Sequence, residues 1–122
     1  MRERMTKVGI LVLADKETHA DMGRVANALE IAKEFQEAGD EVVVIFDGAG
    51  TRWIGELSKP EHRLHRQWSA VRANVAGACR FCATAFGVKE EVEQSGIPLL
   101  GEYEGHPSIR KLVTQDYQII TF

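Results

Sequence analysis

The chain has few cysteines, few prolines and no long apolar segment. Two cysteines and three prolines occur among its 122 residues, which argues against a domain held together by disulfides. No run approaches the roughly 18 apolar residues that a membrane-spanning helix needs, so we expect no membrane partner. Basic residues form no long run and the formal net charge is -3, which argues against nucleic acid as the main partner.

The N-terminal segment superficially resembles a signal peptide, because a basic start is followed by apolar residues. The apolar run, residues 8–14, is at the short end of the range for signal peptides, and Asp15 and Lys16 follow it directly. We therefore interpret this segment as a first strand. Without an export signal, we expect the two cysteines in a reducing cytoplasm, and we treat residues 1–122 as one domain.

Hydrophobic patterning predicts alternating strands and helices. Residues 7–14 and 41–46 are near-continuous apolar runs with β-branched side chains, which is typical of strands buried on both faces. Residues 21–38 between them have a helical period and end before Gly39, which is suited to a left-handed C-terminal cap. A strand–helix–strand unit of this kind implies parallel pairing and a right-handed crossover.

The remaining elements are shorter. We predict strands at 75–78, 97–100 and 117–122, a turn at 47–50, and helices at 51–57, 61–73, 81–86, 88–95 and 108–114. Pro98 indicates that the fourth strand is an edge strand or pairs little, and Pro107 is placed at the first helical position. The predicted fold is a three-layer α/β/α sandwich with a five-stranded, mostly parallel sheet.

The cysteines Cys79 and Cys82 are two residues apart at the predicted end of the third strand and the first turn of a helix. In an open α/β sheet, ligands and reactive groups collect at the carboxyl ends of the strands. A helix N-terminus lowers the pKa of a thiol, so the placement predicts a reactive Cys79. Arg80 and Phe81, between the cysteines, are candidate binding residues.

From the residues alone, several roles are open for the cysteine pair. A persulfide on Cys79, a dithiol redox pair and half of a metal site are the functional interpretations, and two buried, structural cysteines are the alternative. Zinc is the least favoured, because a structural site needs four ligands and no second CxxC or close histidine pair supplies the others. His62 and His65 are interpreted as a solvated pair on a charged helix, so no metal site is predicted.

Other candidate residues lie at predicted strand ends. Gly48 and Gly50 follow the second strand and could cradle an anion, although a plain turn is favoured. Asp15, Asp47 and Glu102 could line the same cleft, although acidic loop residues are usually only solvated.

The order of these features resembles the DsrE-like family of small α/β sulfur-relay proteins. The matching segments are KVGILVLA, EAGDEVVVIFDGAG, VAGACRFCATAFGV, GIPLL and YQIITF. They cover nearly the whole chain, and the most specific part is the short apolar strand that ends in Cys79, followed by a helix of small residues and Gly87.

The resemblance implies a carrier that holds sulfur as a persulfide on Cys79, without a cofactor and without independent turnover. A donor protein would load Cys79, and an acceptor thiolate would remove the outer sulfur. Members of that family that are similar to this chain look like subunits of trimers or hexamers. The resemblance therefore implies a homo-oligomer. We accordingly expect Cys79 in a shallow pocket near a subunit interface, and interpret Trp53 and Trp68 as aromatic residues that a small domain leaves partly unburied.

Cys82 occupies a position where relay members often have another small residue. It is a candidate resolving thiol that would attack a persulfide or sulfenate on Cys79. It could equally indicate a family branch with a different task. Two alternative functions therefore stay open, namely an oligomeric or ligand-binding module with structural cysteines, and a thiol–disulfide switch.

Overall fold

The computed structural model describes residues 5–122, in which a five-stranded sheet is covered by helices. The strands are β1 (Lys7–Val12), β2 (Glu41–Phe46), β3 (Val75–Cys79), β4 (Leu99–Leu100) and β5 (Gln118–Thr121). The helices are α1 (His19–Glu37), α2 (Trp53–Leu57), α3 (His65–Val71), α4 (Arg80–Ala85), α5 (Lys89–Gln94) and α6 (Ile109–Thr114).

The strand order is β4-β3-β2-β1-β5, and every pairing is parallel. The α/β fold with a five-stranded sheet is therefore confirmed. Strand β4 lies at one edge and has two residues, which agrees with the effect expected of Pro98. Because all strands run the same way, the loops after β1, β2, β3 and β4 meet at one edge of the sheet.

The apolar runs form buried strands because helices pack on both faces of the sheet. In β1, Val8, Ile10 and Val12 are at most 1% exposed and belong to the main core with residues of α1. The opposite face of β1 meets α6 and β5, where Gly9 leaves room for Leu112 and Ile119. This two-sided burial explains why β1 shows no polar alternation.

Helix α1 begins two residues earlier than predicted. The Thr18 hydroxyl accepts a hydrogen bond from the Asp21 backbone N–H, and the Asp21 carboxylate accepts one from the Thr18 N–H. This capping box satisfies two free backbone donors and starts the helix at His19. The predicted C-terminal cap is confirmed, because Gly39 has a left-handed φ of 83°.

Several other boundaries differ from the prediction. The predicted turn at 47–50 is part of a 3-10 helix over Gly48–Arg52, and α3 covers only His65–Val71 of the predicted helix 61–73. The interpretation of His62 and His65 as a solvated pair on one helix is wrong, because His62 precedes α3 and both residues are half-buried. Ser108 is the N-cap of α6, so Pro107 lies before the helix and not at its first position.

The interpretation of the tryptophans as partly unburied is wrong. Trp53 is 3% exposed and Trp68 is 1% exposed. The Trp53 indole N–H donates to the carbonyl oxygens of Ala14 and Asp15, and the Trp68 ring meets Phe46 edge to face. Both rings therefore stabilise the core. None of the helices in residues 5–122 is long and apolar enough to cross a membrane.

Candidate functional site

Cys79 is the last residue of β3 and the N-cap of α4. Its sulfur accepts a hydrogen bond from the backbone N–H of Cys82 at 3.3 Å. The sulfur can cap the helix because β3 ends directly at the start of α4, where the first backbone N–H groups have no partner within the helix. The predicted placement of the two cysteines across a strand-to-helix junction is confirmed, with Cys79 inside the strand.

Asp47 reaches the same position from the neighbouring strand. It follows β2, and its backbone N–H donates to the Val12 carbonyl at 2.9 Å. Its carboxylate accepts the Gly48 N–H at 2.8 Å, which caps the 3-10 helix and orients the side chain. Because β2 pairs with β3, this orientation brings the carboxylate beside Cys79.

His106 is brought to Cys79 by a tight turn after β4. Tyr103 and His106 exchange two backbone hydrogen bonds of 2.8 Å, and Glu104 and Gly105 between them have φ values of 49° and 85°. The Phe81 N–H donates to the Gly105 carbonyl at 2.9 Å, and the Phe81 ring lies 4.7 Å from the imidazole. These contacts hold His106 Nδ1 3.3 Å from Cys79 Sγ.

We call Asp47, Cys79, Cys82 and His106 the thiol cluster. One oxygen, nitrogen or sulfur atom from each residue lies within 4.8 Å of the corresponding atoms of the other three. Cys79 is buried and the other three residues are half-buried. No metal site was predicted because the sequence offers no second CxxC and no close histidine pair. The structure adds a carboxylate and an imidazole from distant segments of the chain.

The helix N-terminus does act to lower the pKa of Cys79, through the Cys82 backbone N–H, but the expected net lowering is not found. Burial raises the pKa of the Cys79 thiol to about 12; the Cys82 backbone N–H opposes this, while the Cys82 side chain and the Asp47 carboxylate raise it further. Loss of water from around the thiolate outweighs one N–H group of a short helix. In this conformation the Cys79 thiol is therefore protonated at neutral pH.

Cys79 itself does not line a shallow pocket as expected, because it is 0% exposed. The turn from Tyr103 to His106 covers its sulfur, and the S–H group is 3.9 Å from the Gly105 carbonyl oxygen. A cavity of about 400 Å³ lies beside this cover. Its lining includes Arg80, Phe81 and Gly105.

Arg80 and Phe81 thus lie next to the thiol cluster without contributing to it. Phe81 is 57% exposed and forms one wall of the cover through its contact with His106. Arg80 extends over Gly101, where its guanidinium occupies the space that a Cβ atom would take.

Of the three acidic residues predicted to line the cleft, Asp47 joins the cysteines, whereas Asp15 and Glu102 are not part of the thiol cluster. Asp15 accepts a hydrogen bond from Arg52 at 2.6 Å, and Glu102 accepts one from the Ser108 N–H at 3.4 Å. Gly48 has a φ of 53°, and Gly50 approaches the backbone of Val12 too closely for a side chain. These glycines thus have a structural reason for being glycine.

His106 was missed by the sequence prediction. Its position in the loop after the fourth strand was a usable indication, because the carboxyl ends of parallel strands lie at one edge of the sheet. Because His106 and Cys79 are 27 positions apart in the sequence, no local pattern indicates their contact.

Comparisons with known proteins agree with this architecture. The model of the DsrE/DsrF-like family matches residues 8–122. The uncharacterized protein MJ0733 of Methanocaldococcus jannaschii is 31% identical over an alignment of 121 residues, and the match covers 98% of this chain and 98% of that protein. The solved structure of BT1422, a conserved protein of unknown function from Bacteroides thetaiotaomicron, has a TM-score of 0.59 at 15% identity and covers 93% of this chain and 94% of that chain. That structural likeness concerns the fold alone.

Proposed function

The chain belongs to the DsrE/DsrF-like family, and we propose that it carries sulfur as a persulfide on Cys79. Family membership supports a role in sulfur relay. The observation that carries the finer proposal is the contact of the Cys79 sulfur with His106 Nδ1, 3.3 Å away, at the carboxyl end of β3. A thiol in contact with an imidazole can pass its proton to that ring and become nucleophilic.

In the loading step, the Cys79 sulfur attacks the outer sulfur of a persulfide on a donor protein. A new S–S bond forms at Cys79, the S–S bond of the donor breaks, and the donor leaves as a thiolate. The proton of Cys79 passes through His106 to the departing thiolate. One S–S bond replaces another, so the step needs no oxidant or reductant.

In the unloading step, a thiolate of an acceptor protein attacks the outer sulfur of the Cys79 persulfide. Cys79 leaves as a thiolate and is held by the Cys82 backbone N–H, 3.3 Å from the sulfur. If the Cys82 thiol instead attacks the inner sulfur, hydrogen sulfide leaves and a Cys79–Cys82 disulfide forms. That second route is the resolving role proposed for Cys82.

Loading requires the turn from Tyr103 to His106 to move, because Cys79 is fully buried beneath it. Tyr103 is 65% exposed at the outer end of this turn. The hydrogen bond from Phe81 to Gly105 and the ring contact between Phe81 and His106 attach it to α4. These few contacts are compatible with local opening, and the cavity beside Phe81 gives a donor cysteine an approach.

The test uses reduced, chelator-treated protein, a cysteine desulfurase and cysteine, followed by intact mass measurement without reductant. We expect a gain of one sulfur atom, lost in Cys79→Ser and retained in Cys82→Ser. His106→Ala removes both the proton carrier and part of the cover, so its loading rate should fall relative to the rate at which iodoacetamide alkylates Cys79 in the same variant. His19→Ala, at an exposed position in α1, is the matched control and should change neither rate. Absence of any sulfur adduct on the wild-type chain, with a donor that loads a free small thiol, would contradict the proposal.

A thiol–disulfide switch is the second candidate function. It is favoured by the proximity of the two sulfur atoms, within 4.8 Å, and by the presence of both cysteines as free thiols. A disulfide or peroxide oxidant would accept the two electrons and two protons that the thiols release. A ready loss of two hydrogen atoms in the intact mass, abolished in either serine variant, supports the switch.

A further inference from the structure

We propose that the thiol cluster binds a zinc ion through Asp47, Cys79, Cys82 and His106. Two cysteine sulfurs, one histidine nitrogen and one carboxylate oxygen are donors that zinc accepts in tetrahedral sites. With bonds of about 2.0–2.3 Å, the ligand atoms of such a site lie roughly 3.3–3.8 Å from one another. The Cys79 Sγ to His106 Nδ1 distance is already 3.3 Å, and all four ligand atoms lie within 4.8 Å of one another. The proposal requires the remaining ligand distances to shorten into this range when the metal binds.

The ligands come from elements that hold them before a metal arrives. The sulfur of Cys79 receives the Cys82 backbone N–H, which would stabilise a metal-bound thiolate. The Asp47 carboxylate is oriented by the Gly48 N–H at 2.8 Å. Phe81 packs against the His106 ring, with the two ring centroids 4.7 Å apart. Hydrogen bonds and packing of this kind orient the ligands of metal sites in proteins.

The charge around Asp47 is a second observation in favour of a cation. Across residues 5–122, neither lysine nor arginine forms a salt bridge with Asp47, whereas Asp15 and Glu56 each have such a partner. The half-buried Asp47 carboxylate beside the fully buried Cys79 thus has the Gly48 N–H as a hydrogen-bond donor and no positive charge from a lysine or arginine side chain within salt-bridge distance in residues 5–122. A zinc ion would supply that charge.

Zinc binding exchanges protons for metal at this site. Cys79 and Cys82 each release one proton, and the metal accepts their thiolates, the Asp47 carboxylate and the neutral imidazole of His106. The same Cys79 sulfur cannot hold zinc and a persulfide at once. The metal would therefore block sulfur loading, although the inference does not rest on the proposed carrier function.

Cobalt is the spectroscopic probe, and zinc is the competitor. Reduced protein freed of metal with a chelator is titrated with Co²⁺ and then with Zn²⁺, without a sulfur donor. We expect sulfur-to-cobalt charge-transfer bands, intense tetrahedral d–d bands, and displacement of Co²⁺ by about one equivalent of Zn²⁺ per chain.

Four variants remove the ligands one at a time: Asp47→Asn, Cys79→Ser, Cys82→Ser and His106→Ala. Each should weaken zinc binding by at least roughly 10- to 100-fold, since that loss already follows from mutating residues that only orient ligands. Asp116→Asn and His19→Ala are the matched controls, because both positions are exposed and Asn tolerates the left-handed φ of 68° at Asp116. The controls should bind as the wild type does.

X-ray absorption at the zinc edge of the wild-type protein tests the site without any variant. Two sulfur neighbours at about 2.3 Å together with two nitrogen or oxygen neighbours support the proposal. A site with only nitrogen and oxygen neighbours, octahedral cobalt bands, or zinc affinity unchanged in folded Cys82→Ser protein would overturn it. Sulfur loading is assayed separately with chelator present, so failure of either proposal is visible without the other.

Discussion

His106 Nδ1 lies 3.3 Å from the sulfur of Cys79, although the two residues are 27 positions apart in the sequence. The contact is produced by three separate features, namely the strand-to-helix junction at Cys79, the tight turn that ends at His106, and the Phe81 ring that packs on the imidazole. With Nδ1 unprotonated, the contact gives the buried thiol a proton acceptor, and it also completes the proposed set of metal ligands. Both proposals depend on this one relationship.

The two cysteines should differ in their reaction with iodoacetamide. In reduced, metal-free protein near neutral pH, we expect Cys82 to react before Cys79, because Cys82 is half-buried whereas Cys79 is fully buried with its pKa raised to about 12. Below that pKa the thiolate fraction rises about tenfold for each pH unit, so Cys79 alkylation should accelerate as the pH is raised. Peptide mass spectrometry over a time course measures both rates.

The His106→Ala variant should expose Cys79 by removing part of its cover. We expect alkylation of Cys79 to accelerate at least roughly tenfold. In this variant the turn lacks the ring contact with Phe81, so opening of the turn costs less free energy. His19→Ala should leave the rate unchanged. Equal rates in wild-type and His106→Ala protein would show that the turn does not control access to the thiol.

Zinc should raise the melting temperature of the wild-type chain. A ligand at about 100 times its dissociation constant stabilises the state that binds it by about 2.7 kcal/mol, which is roughly 10 °C for a domain of this size. Differential scanning calorimetry with and without zinc measures the shift. The Cys82→Ser variant should lose most of this increase in melting temperature, and Asp116→Asn should keep it. A wild-type melting temperature that zinc does not change would argue against the site.

Gly50 and Gly23 should respond in opposite ways to alanine. A Cβ atom at Gly50 would collide with the backbone of Val12, so Gly50→Ala should lower the free energy of unfolding by about 2–3 kcal/mol. A Cβ atom at Gly23, on the exposed side of α1, meets nothing within 4 Å. Gly23→Ala should therefore raise stability by about 0.5–1 kcal/mol through helix propensity. Urea denaturation of both variants checks the contrast.

Removal of the Glu56 carboxylate should destabilise the protein in a pH-dependent way. A hydrogen bond from Lys16 at 2.9 Å is the main cause that lowers the pKa of Glu56. A carboxyl whose pKa is lowered by folding stabilises the fold above its unfolded pKa of about 4.3, and that stability is lost as the pH falls through the folded pKa.

Glu56→Gln should accordingly cost up to about 1 kcal/mol near neutral pH, the usual limit for a partly exposed pair, and nothing in strong acid. Urea unfolding of both proteins near neutral pH and in strong acid measures the difference in their free energy of unfolding. Glu30→Gln, at an exposed position in α1, is the control. A cost for Glu56→Gln that persists in acid would show that the side chain acts through packing.

The limits of β2 show which features of the fold can be predicted from the local sequence. Residues 41–46 were predicted as a strand and form β2 with the same limits, because a β-branched apolar run has few other stable arrangements in a small α/β domain. The limits of the helix before this strand, α1, follow less directly from the sequence pattern. The start of α1 depends on the capping box of Thr18 and Asp21, which a hydrophobic period does not reveal.

The spacing of the cysteines predicts their position correctly, but it does not predict the net pKa of Cys79. Cys79 lies at the end of β3 as the spacing indicated, and it caps α4 through the Cys82 N–H. Its raised pKa arises from burial beneath a turn that begins 24 positions later, at Tyr103. The desolvation of a thiol depends on everything packed around it, so no local motif contains that information.

The sequence by itself determined the alternation of strands and helices, the parallel sheet and the placement of Cys79 at a strand end, because these follow from local backbone preference and hydrophobic period. Only the tertiary structure decided that Asp47 and His106 join the cysteines, that Cys79 is covered and protonated, and that both tryptophans are buried. The physical reason is that a parallel sheet aligns the carboxyl ends of strands that are distant in the chain. Burial, charge and ligand geometry arise there from the sum of contacts among several loops.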